Sequence, residues 1–175
     1  MPSSRILISS QTLGTAAATV TFSGIPTGYR DLVLRWSARS AQANATTRIN
    51  INLNGVSGTS YSFTKLQATG TSASSSQIGS FDKWWGEYVS ADNATSNTFG
   101  SGELYLPNYL STVNKPASFF SVAENNTAAN GDWYVSALAS LATITSAITS
   151  VALTLNTSDN FMAGSSFYLY GLLPS

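Results

Sequence analysis

The 175-residue chain contains no cysteine and no histidine, and only 9% of its residues are charged. The absence of cysteine excludes disulfides and thiolate metal sites. Without either residue the chain also lacks the preferred ligands of zinc and copper and the usual activated nucleophile systems. Its acids are scattered, with none in an Asp-x-Asp or Glu-x-x-Glu cluster. We therefore expect a protein that is not an enzyme and that holds no metal or cofactor.

Long apolar runs are missing as well. No stretch approaches the ~20 apolar residues of a membrane helix, and the run at residues 6–8 is too short for the core of a secretory signal. The formal net charge is zero, and Arg30, Arg35, Arg39 and Arg48 form only a modest basic cluster. Nucleic-acid binding depends on a basic excess. We expect no membrane partner, no nucleic-acid partner, and synthesis in the cytoplasm.

What the chain has instead is alternation between apolar and polar residues. Leu32, Leu34 and Trp36 fall on one side of an extended stretch, and residues 49–53 repeat the pattern just before an Asn-Gly pair. A period of two is typical of a half-buried strand, and Asn-Gly is the pair that best accepts a hairpin turn. The two stretches are therefore predicted to share one buried core.

The same reading predicts strands along most of the chain, separated by turns rich in Gly, Pro, Asn and Asp. Further predicted strands cover residues 19–22, 61–66, 78–88, 98–106, 118–123, 132–138, 148–155 and 165–172. Residues 67–77 are rich in Ser, Thr and Ala and predict a long flexible loop, and residues 138–147 allow at most one helical turn. About ten short strands predict an all-β fold, an antiparallel β-sandwich of jelly-roll type, as a single domain over residues 1–175.

The charges are unevenly distributed. Residues 1–65 contain six basic residues and one acid, whereas residues 66–175 contain two basic residues and seven acids. Either the two halves interleave within one fold, or unlike patches meet between subunits of a ring. In the second case Arg35, Arg39 and Arg48 would lie near acids of a neighbouring subunit or of a larger shell. A chain without net charge also lacks the repulsion that keeps proteins dispersed, which favours a homo-oligomer, most simply a homotrimer.

The aromatic residues are the best candidates for binding. Trp84 and Trp85 are adjacent, so on a strand they point to opposite faces, and one should enter the core. An outward tryptophan beside Tyr88 or Trp133 would suit stacking on a sugar ring or anchoring a partner. The alternative is that both tryptophans are covered, by the core and by a loop or subunit, because large aromatic side chains bury so much area.

Several segments along the chain resemble a family of small β-rich structural proteins from tailed bacteriophages, commonly marine or cyanobacterial ones. These segments are GIPTGYRDLVL at residues 24–34, NG at 54–55, YLPNY at 105–109, ITSVAL at 148–153 and FMAGSSFYLYG at 161–171. The resemblance implies a virion component with a jelly-roll fold, often trimeric, and no catalytic residue.

Within that family the chain lacks coiled-coil heptads and a collagen-like repeat, which fibre proteins use for attachment. We therefore expect a capsid decoration (cement) protein on the virion surface that binds the major capsid protein of a phage head. The alternative is a tail-fibre or receptor-binding module that recognises a host surface glycan through Trp84, Trp85, Tyr88 or Trp133.

Overall fold

The structure is a computed structural model that describes residues 5–125 and 133–173. These residues contain twelve strands and no helix, and neighbouring strands pair antiparallel. The all-β prediction is confirmed. The strands are β1 (Arg5–Thr12), β2 (Thr19–Ser23), β3 (Asp31–Ala38), β4 (Thr46–Leu53), β5 (Tyr61–Thr69), β6 (Ser72–Phe81), β7 (Trp84–Ser90), β8 (Gly100–Leu106), β9 (Lys115–Ala123), β10 (Tyr134–Ala142), β11 (Ser150–Leu155) and β12 (Ser166–Leu172).

The strands form two sheets of unequal width that pack as a β-sandwich. The wider sheet has the order β1-β12-β3-β8-β9-β10-β5-β6, and the narrower sheet has the order β2-β11-β4-β7. From β1 to β4 successive strands lie alternately in the wider and the narrower sheet. The same alternation holds for β7, β8, β11 and β12, which lie in the narrower, wider, narrower and wider sheet in that order. The pairs β5–β6 and β9–β10 both extend the wider sheet, which therefore carries twice as many strands as the sheet that covers it.

The core lies between the two sheets. Leu32, Leu34 and Trp36 of β3 are buried in one cluster with every second residue of β4 from Ile49 to Leu53. Because β3 belongs to the wider sheet and β4 to the narrower one, the two alternating stretches face each other, and the predicted shared core is confirmed. Full burial of one such aliphatic side chain stabilises the fold by about 1.5–3 kcal/mol.

The prediction of a flexible loop over residues 67–77 is wrong. β5 continues to Thr69, the chain turns through Gly70, and β6 pairs back along β5 from Ser72 onward. Gly70 has a φ of 55°, a conformation that glycine adopts without steric cost. Serine and alanine give a weak strand signal on their own, and the pairing with β5 decides the structure here.

Two smaller expectations also change. The predicted strand over residues 78–88 is interrupted at Asp82 and Lys83, and its two parts, β6 and β7, lie in different sheets. The helical turn allowed in residues 138–147 is absent from the described residues, because β10 continues as a strand to Ala142. Asp132, where we expected the strand before it to begin, lies outside the described residues.

The four sheet edges differ in how well they are protected against pairing with another strand. β1 has a bulge between Leu7 and Ser9, β7 is bulged against β4, and β2 is only five residues long. Bulges and short length are common ways to protect an edge. β6 is also bulged, opposite Tyr61–Phe63, but it has ten residues, no charged side chain, and exposure on both of its faces along most of its length. It is the least protected edge of the described structure.

Candidate functional site

Trp84 lies in the core and cannot stack on an external ligand. It is fully buried, its indole N–H donates to the Leu141 carbonyl at 3.1 Å, and it makes edge-to-face contacts with Tyr61 and Phe119. The expectation that one of the two adjacent tryptophans enters the core is met by Trp84. The structure therefore corrects the prediction that Trp84 could stack on a sugar ring or a partner.

Trp85 points the other way but is largely covered within the chain. Its ring packs against Phe63 and Phe81, with ring centroids 5.4 and 5.3 Å apart. The Arg48 guanidinium lies over the same ring, 4.5 Å from its centroid. The structure thus favours the alternative in which both tryptophans are covered.

Tyr88 is also engaged inside the chain. Its ring stacks on Tyr134 at a centroid distance of 3.7 Å, and Arg48 donates a hydrogen bond to its hydroxyl. Trp133 is half-buried and lines a separate shallow depression with Gly70 and Glu124. Of the four aromatic candidates, the structure brings Trp85 and Tyr88 together around Arg48, leaves Trp84 in the core, and places Trp133 in a different environment.

Arg39 is a structural residue. It follows the end of β3 and is buried, and its guanidinium donates hydrogen bonds of 2.8–3.1 Å to four backbone carbonyls of one loop. These carbonyls belong to Asp92, Ala94, Thr95 and Thr98. The prediction that Arg39 contacts a neighbouring subunit is therefore corrected, because this side chain is buried and both of its terminal nitrogens hold the loop before β8.

Three other basic residues of the first half, Arg5, Arg35 and Lys65, pair with acids of the second half inside the same chain. Glu103 accepts hydrogen bonds from Arg35 at 2.6 Å and Arg5 at 3.0 Å. Burial raises the pKa of Glu103, but the hydrogen bonds from Arg35 and Arg5 outweigh it and the net pKa is lowered. Lys65 likewise pairs with Glu87. The interleaving alternative thus accounts for these charges without a second subunit.

Lys65 and Glu87 form a buried pair that sequence reasoning missed. The Lys65 ammonium lies 3.5 Å from Oε2 of Glu87, and the two side chains are 5% and 0% exposed. Burial lowers the pKa of Lys65 and raises that of Glu87, and their mutual attraction offsets this only in part. A lysine among strand residues carries no signal of burial by itself, so the sequence could not have identified this pair.

An apolar patch lies on the outer face of the wider sheet. Leu66, Phe120 and Val135 are 61%, 53% and 42% exposed. In the strand register Ala137 lies between Leu66 and Phe120. We call these four residues, together with Ala73 of β6, the outer apolar patch. The sequence contains one sign of this patch at Phe119 and Phe120. Adjacent residues of a strand point to opposite faces, so only one of these two phenylalanines can enter the core.

Ion pairs border the outer apolar patch on one side. Phe120 lies opposite Glu103 of β8 in the register, and Glu103 in turn lies opposite Arg35 of β3. Together with Ser101 and Val122 these residues line a shallow depression of about 430 Å³. The outer face therefore presents apolar and charged groups side by side.

Several acids of the described residues are engaged in ion pairs within the chain. Asp31, Asp82, Glu87 and Glu103 each have such a partner. In residues 5–125 and 133–173 no group of three or more acidic or other metal-ligating side chains comes together. Over the same ranges no helix has the length and apolar character needed to cross a membrane.

Comparison with known proteins yields no family. No family model matches the chain, and no curated protein matches it. Among solved structures, one of infectious bursal disease virus, Gx strain, aligns with this chain at 14% sequence identity and a TM-score of 0.15. The alignment covers 100% of this chain and 40% of the viral chain. At that TM-score the likeness carries no argument about fold or function.

Proposed function

We propose that this protein is a virion structural protein, a capsid decoration (cement) protein that is made in the host cytoplasm and binds the outer face of a phage head. The outer apolar patch carries the proposal. The largest contiguous apolar patches on soluble proteins often mark interaction sites. The patch forms a depression of only about 210 Å³, below the roughly 300–1,000 Å³ of small-molecule sites. A broad, shallow sheet face fits another folded protein, here the major capsid protein.

Stabilisation of the shell would follow from mass action. A protein that binds the assembled lattice and not its loosened form shifts the equilibrium toward assembly, by about 2.7 kcal/mol per site when its free concentration is 100 times Kd. The patch would supply the buried contact. The neighbouring Arg35, Glu103 and Arg5 would set orientation, since charges at an interface rim contribute more to specificity than to affinity.

The test is cosedimentation of the purified protein with isolated heads of the phage that carries its gene. We expect the natural protein to cosediment and the double variant Leu66→Ser, Phe120→Ser to bind at least tenfold more weakly, because truncating apolar anchors costs about 2 kcal/mol or more. Val113→Ser is the matched control, since Val113 is 62% exposed and lies outside the patch. Failure of the natural protein to bind, or equal binding by the double variant, would contradict the proposal.

We further propose that copies of the chain associate, with a homotrimer as the expected state. The bare edge of β6 supports association, because unpaired backbone groups on an uncharged edge favour pairing with another chain. Native mass spectrometry should show a particle of three times the 18.4 kDa chain mass. A monomer at micromolar concentration, both free and after release from heads, would contradict it.

For the scaffold we propose a jelly roll of eight strands, in which β1-β12-β3-β8 faces β2-β11-β4-β7. The strand orders support this, since a jelly roll is a double sheet of two Greek keys. The pairs β5–β6 and β9–β10 would then be insertions that widen one sheet and create the outer apolar patch.

The alternative function is a tail-fibre or receptor-binding module for a host glycan. One observation favours it: exposed Phe120 stands beside Arg35 and Glu103 at the 430 Å³ depression, and an aromatic ring next to polar groups suits a sugar. A glycan array would test it. Binding that disappears in Phe120→Ser would support this role, and an empty array together with head binding would leave decoration as the function.

A further inference from the structure

Lys65 and Glu87 connect the two sheets of the sandwich. Lys65 lies on β5 of the wider sheet and Glu87 on β7 of the narrower one, with 3.5 Å between Nζ and Oε2. Both side chains are inside the protein. A disulfide between the sheets is excluded because the chain has no cysteine.

The surroundings do not suit a pair of separated charges. Within the described residues neither oxygen of the Glu87 carboxylate has a hydrogen bond of good geometry, although Ser136 and Lys65 lie close enough to act on it as donors. The Tyr88 ring, 5.8 Å from the Lys65 ammonium, gives that cation only a distant cation–π contact. A buried ion pair without additional hydrogen bonds does not recover its desolvation cost. In agreement with this, burial moves the pKa values of both groups toward their neutral forms, an amine and a carboxylic acid.

Elsewhere the same fold accommodates a buried ammonium group completely. The Lys115 ammonium donates to the backbone carbonyls of Ser111, Val113 and Ile144 at 2.7, 2.6 and 3.1 Å. The Glu87 carboxylate has no such set of partners. Lys115 is therefore a lysine whose charge is fully hydrogen-bonded, whereas the Glu87 carboxylate lacks well-placed donors.

The backbone holds Glu87 in place. It has a φ of 66°, a left-handed conformation that is uncommon for residues other than glycine. The strain arises at the bulge in β7, where the register with β4 shifts between Arg48 and Asn50. Strained residues persist only where the surrounding structure fixes them, and they cluster at functional sites. Two reacting groups fixed at this separation gain the large effective concentration of an intramolecular reaction.

We propose that Lys65 and Glu87 condense to an amide that covalently links the two sheets. The neutral amine attacks Cδ of the protonated carboxyl group, so that a C–N bond forms. The carboxyl C–O bond breaks, and its oxygen leaves as water with a proton from the amine. No oxidant or other reactant is needed. The positive charge of Arg48, which acts on both groups and whose Nε has no hydrogen-bond partner, would stabilise the oxyanion that develops at Cδ.

The amide would remove the unfavourable features of the site together. It replaces a poorly hydrogen-bonded ion pair with a neutral group, and it links strands of two different sheets. Unlike a disulfide, it would resist reduction. The inference is independent of the function proposed above, because it depends only on the geometry of the folded chain.

The experiment is intact-mass measurement of the folded protein after incubation at neutral pH. We expect a mass lower than that of the sequence by one water molecule, and a protease digest with one branched peptide that joins the segments containing Lys65 and Glu87. Lys65→Met, which keeps an apolar chain of similar size, should have its full sequence mass. Lys83→Met, which alters a half-buried lysine paired with Asp82, should still lose water.

The full sequence mass in the folded natural protein would overturn the proposal and leave a non-covalent pair. A water loss that maps elsewhere, such as to a succinimide at an aspartate, would overturn it as well. The natural protein and Lys83→Met decide the question even if Lys65→Met does not fold.

Discussion

Replacing Arg39 with methionine should destabilise this protein strongly, whereas the same change at Arg35 should not. Both arginines fall on the same side of an alternating stretch, and the sequence does not distinguish them. In the structure Arg39 is buried and donates to four carbonyls of the loop at residues 92–98. Arg35 is 51% exposed and pairs with Glu103 at the surface. Methionine keeps the apolar stem of either side chain, so the comparison isolates the guanidinium.

The magnitude follows from burial. A hydrogen bond to a charged group contributes about 1.5–3 kcal/mol, but the four bonds of Arg39 are not additive, because part of the loop can be rehydrated. We expect Arg39→Met to lower the free energy of unfolding by about 3–5 kcal/mol, equivalent to about two such hydrogen bonds. Arg35→Met should cost about 0–1 kcal/mol, as for an exposed ion pair.

Urea denaturation followed by tryptophan fluorescence measures both values, with the slope m checked for constancy. For a chain of this length each kcal/mol lowers Tm by about 2–4 °C, so the Arg39 variant should melt roughly 6–20 °C earlier. Equal losses in the two variants, or a loss below about 1 kcal/mol for Arg39→Met, would refute the view that this guanidinium organises the loop.

Three further predictions concern the core, a close contact and acid stability. Leu34→Ala should cost about 2–5 kcal/mol in urea denaturation, because Leu34 is fully buried; a loss below ~0.5 kcal/mol, the usual range at the surface, would mean that it does not face the core. In Gly102→Ala the new Cβ would lie 2.2 Å from the Trp36 ring, so we expect the free energy of unfolding to fall by about 1–3 kcal/mol or more. Gly28→Ala is the control, because a Cβ there meets no atom within 4 Å, and it should be neutral or slightly stabilising. Similar Tm values for the two variants would contradict this prediction. Burial raises the pKa of Asp31, but hydrogen bonds, the strongest from an arginine, lower it below its ordinary 3.8. The stability that this carboxylate contributes is therefore fully present above its ordinary pKa and is lost as pH falls through the pKa of the folded state. A plot of unfolding free energy against pH should be flatter for Asp31→Asn than for the natural protein, and identical slopes would count against this prediction.

Much of the fold could be predicted from local pattern. The alternation at Leu32–Trp36 and residues 49–53 placed two strands correctly, because side chains in a strand alternate between faces whatever the partner. The stretch at residues 67–77 could not be predicted, because Ser- and Ala-rich sequence becomes a strand only through its pairing with β5. The outer apolar patch was equally hidden, since its members come from β5, β6, β9 and β10 and meet only in the assembled sheet.

The sequence by itself determined the class of the protein: an all-β chain, with alternating strands that bury a shared core and with no histidine or cysteine for catalysis or zinc binding. Only the tertiary structure decided what individual polar residues do. Arg35 lies in a surface pair, Arg39 under a loop, and Arg48 against Trp85. The reason is that periodicity fixes which face of a strand a side chain takes, whereas burial and charge partners come from segments distant in the chain, and those are set only when the two sheets pack.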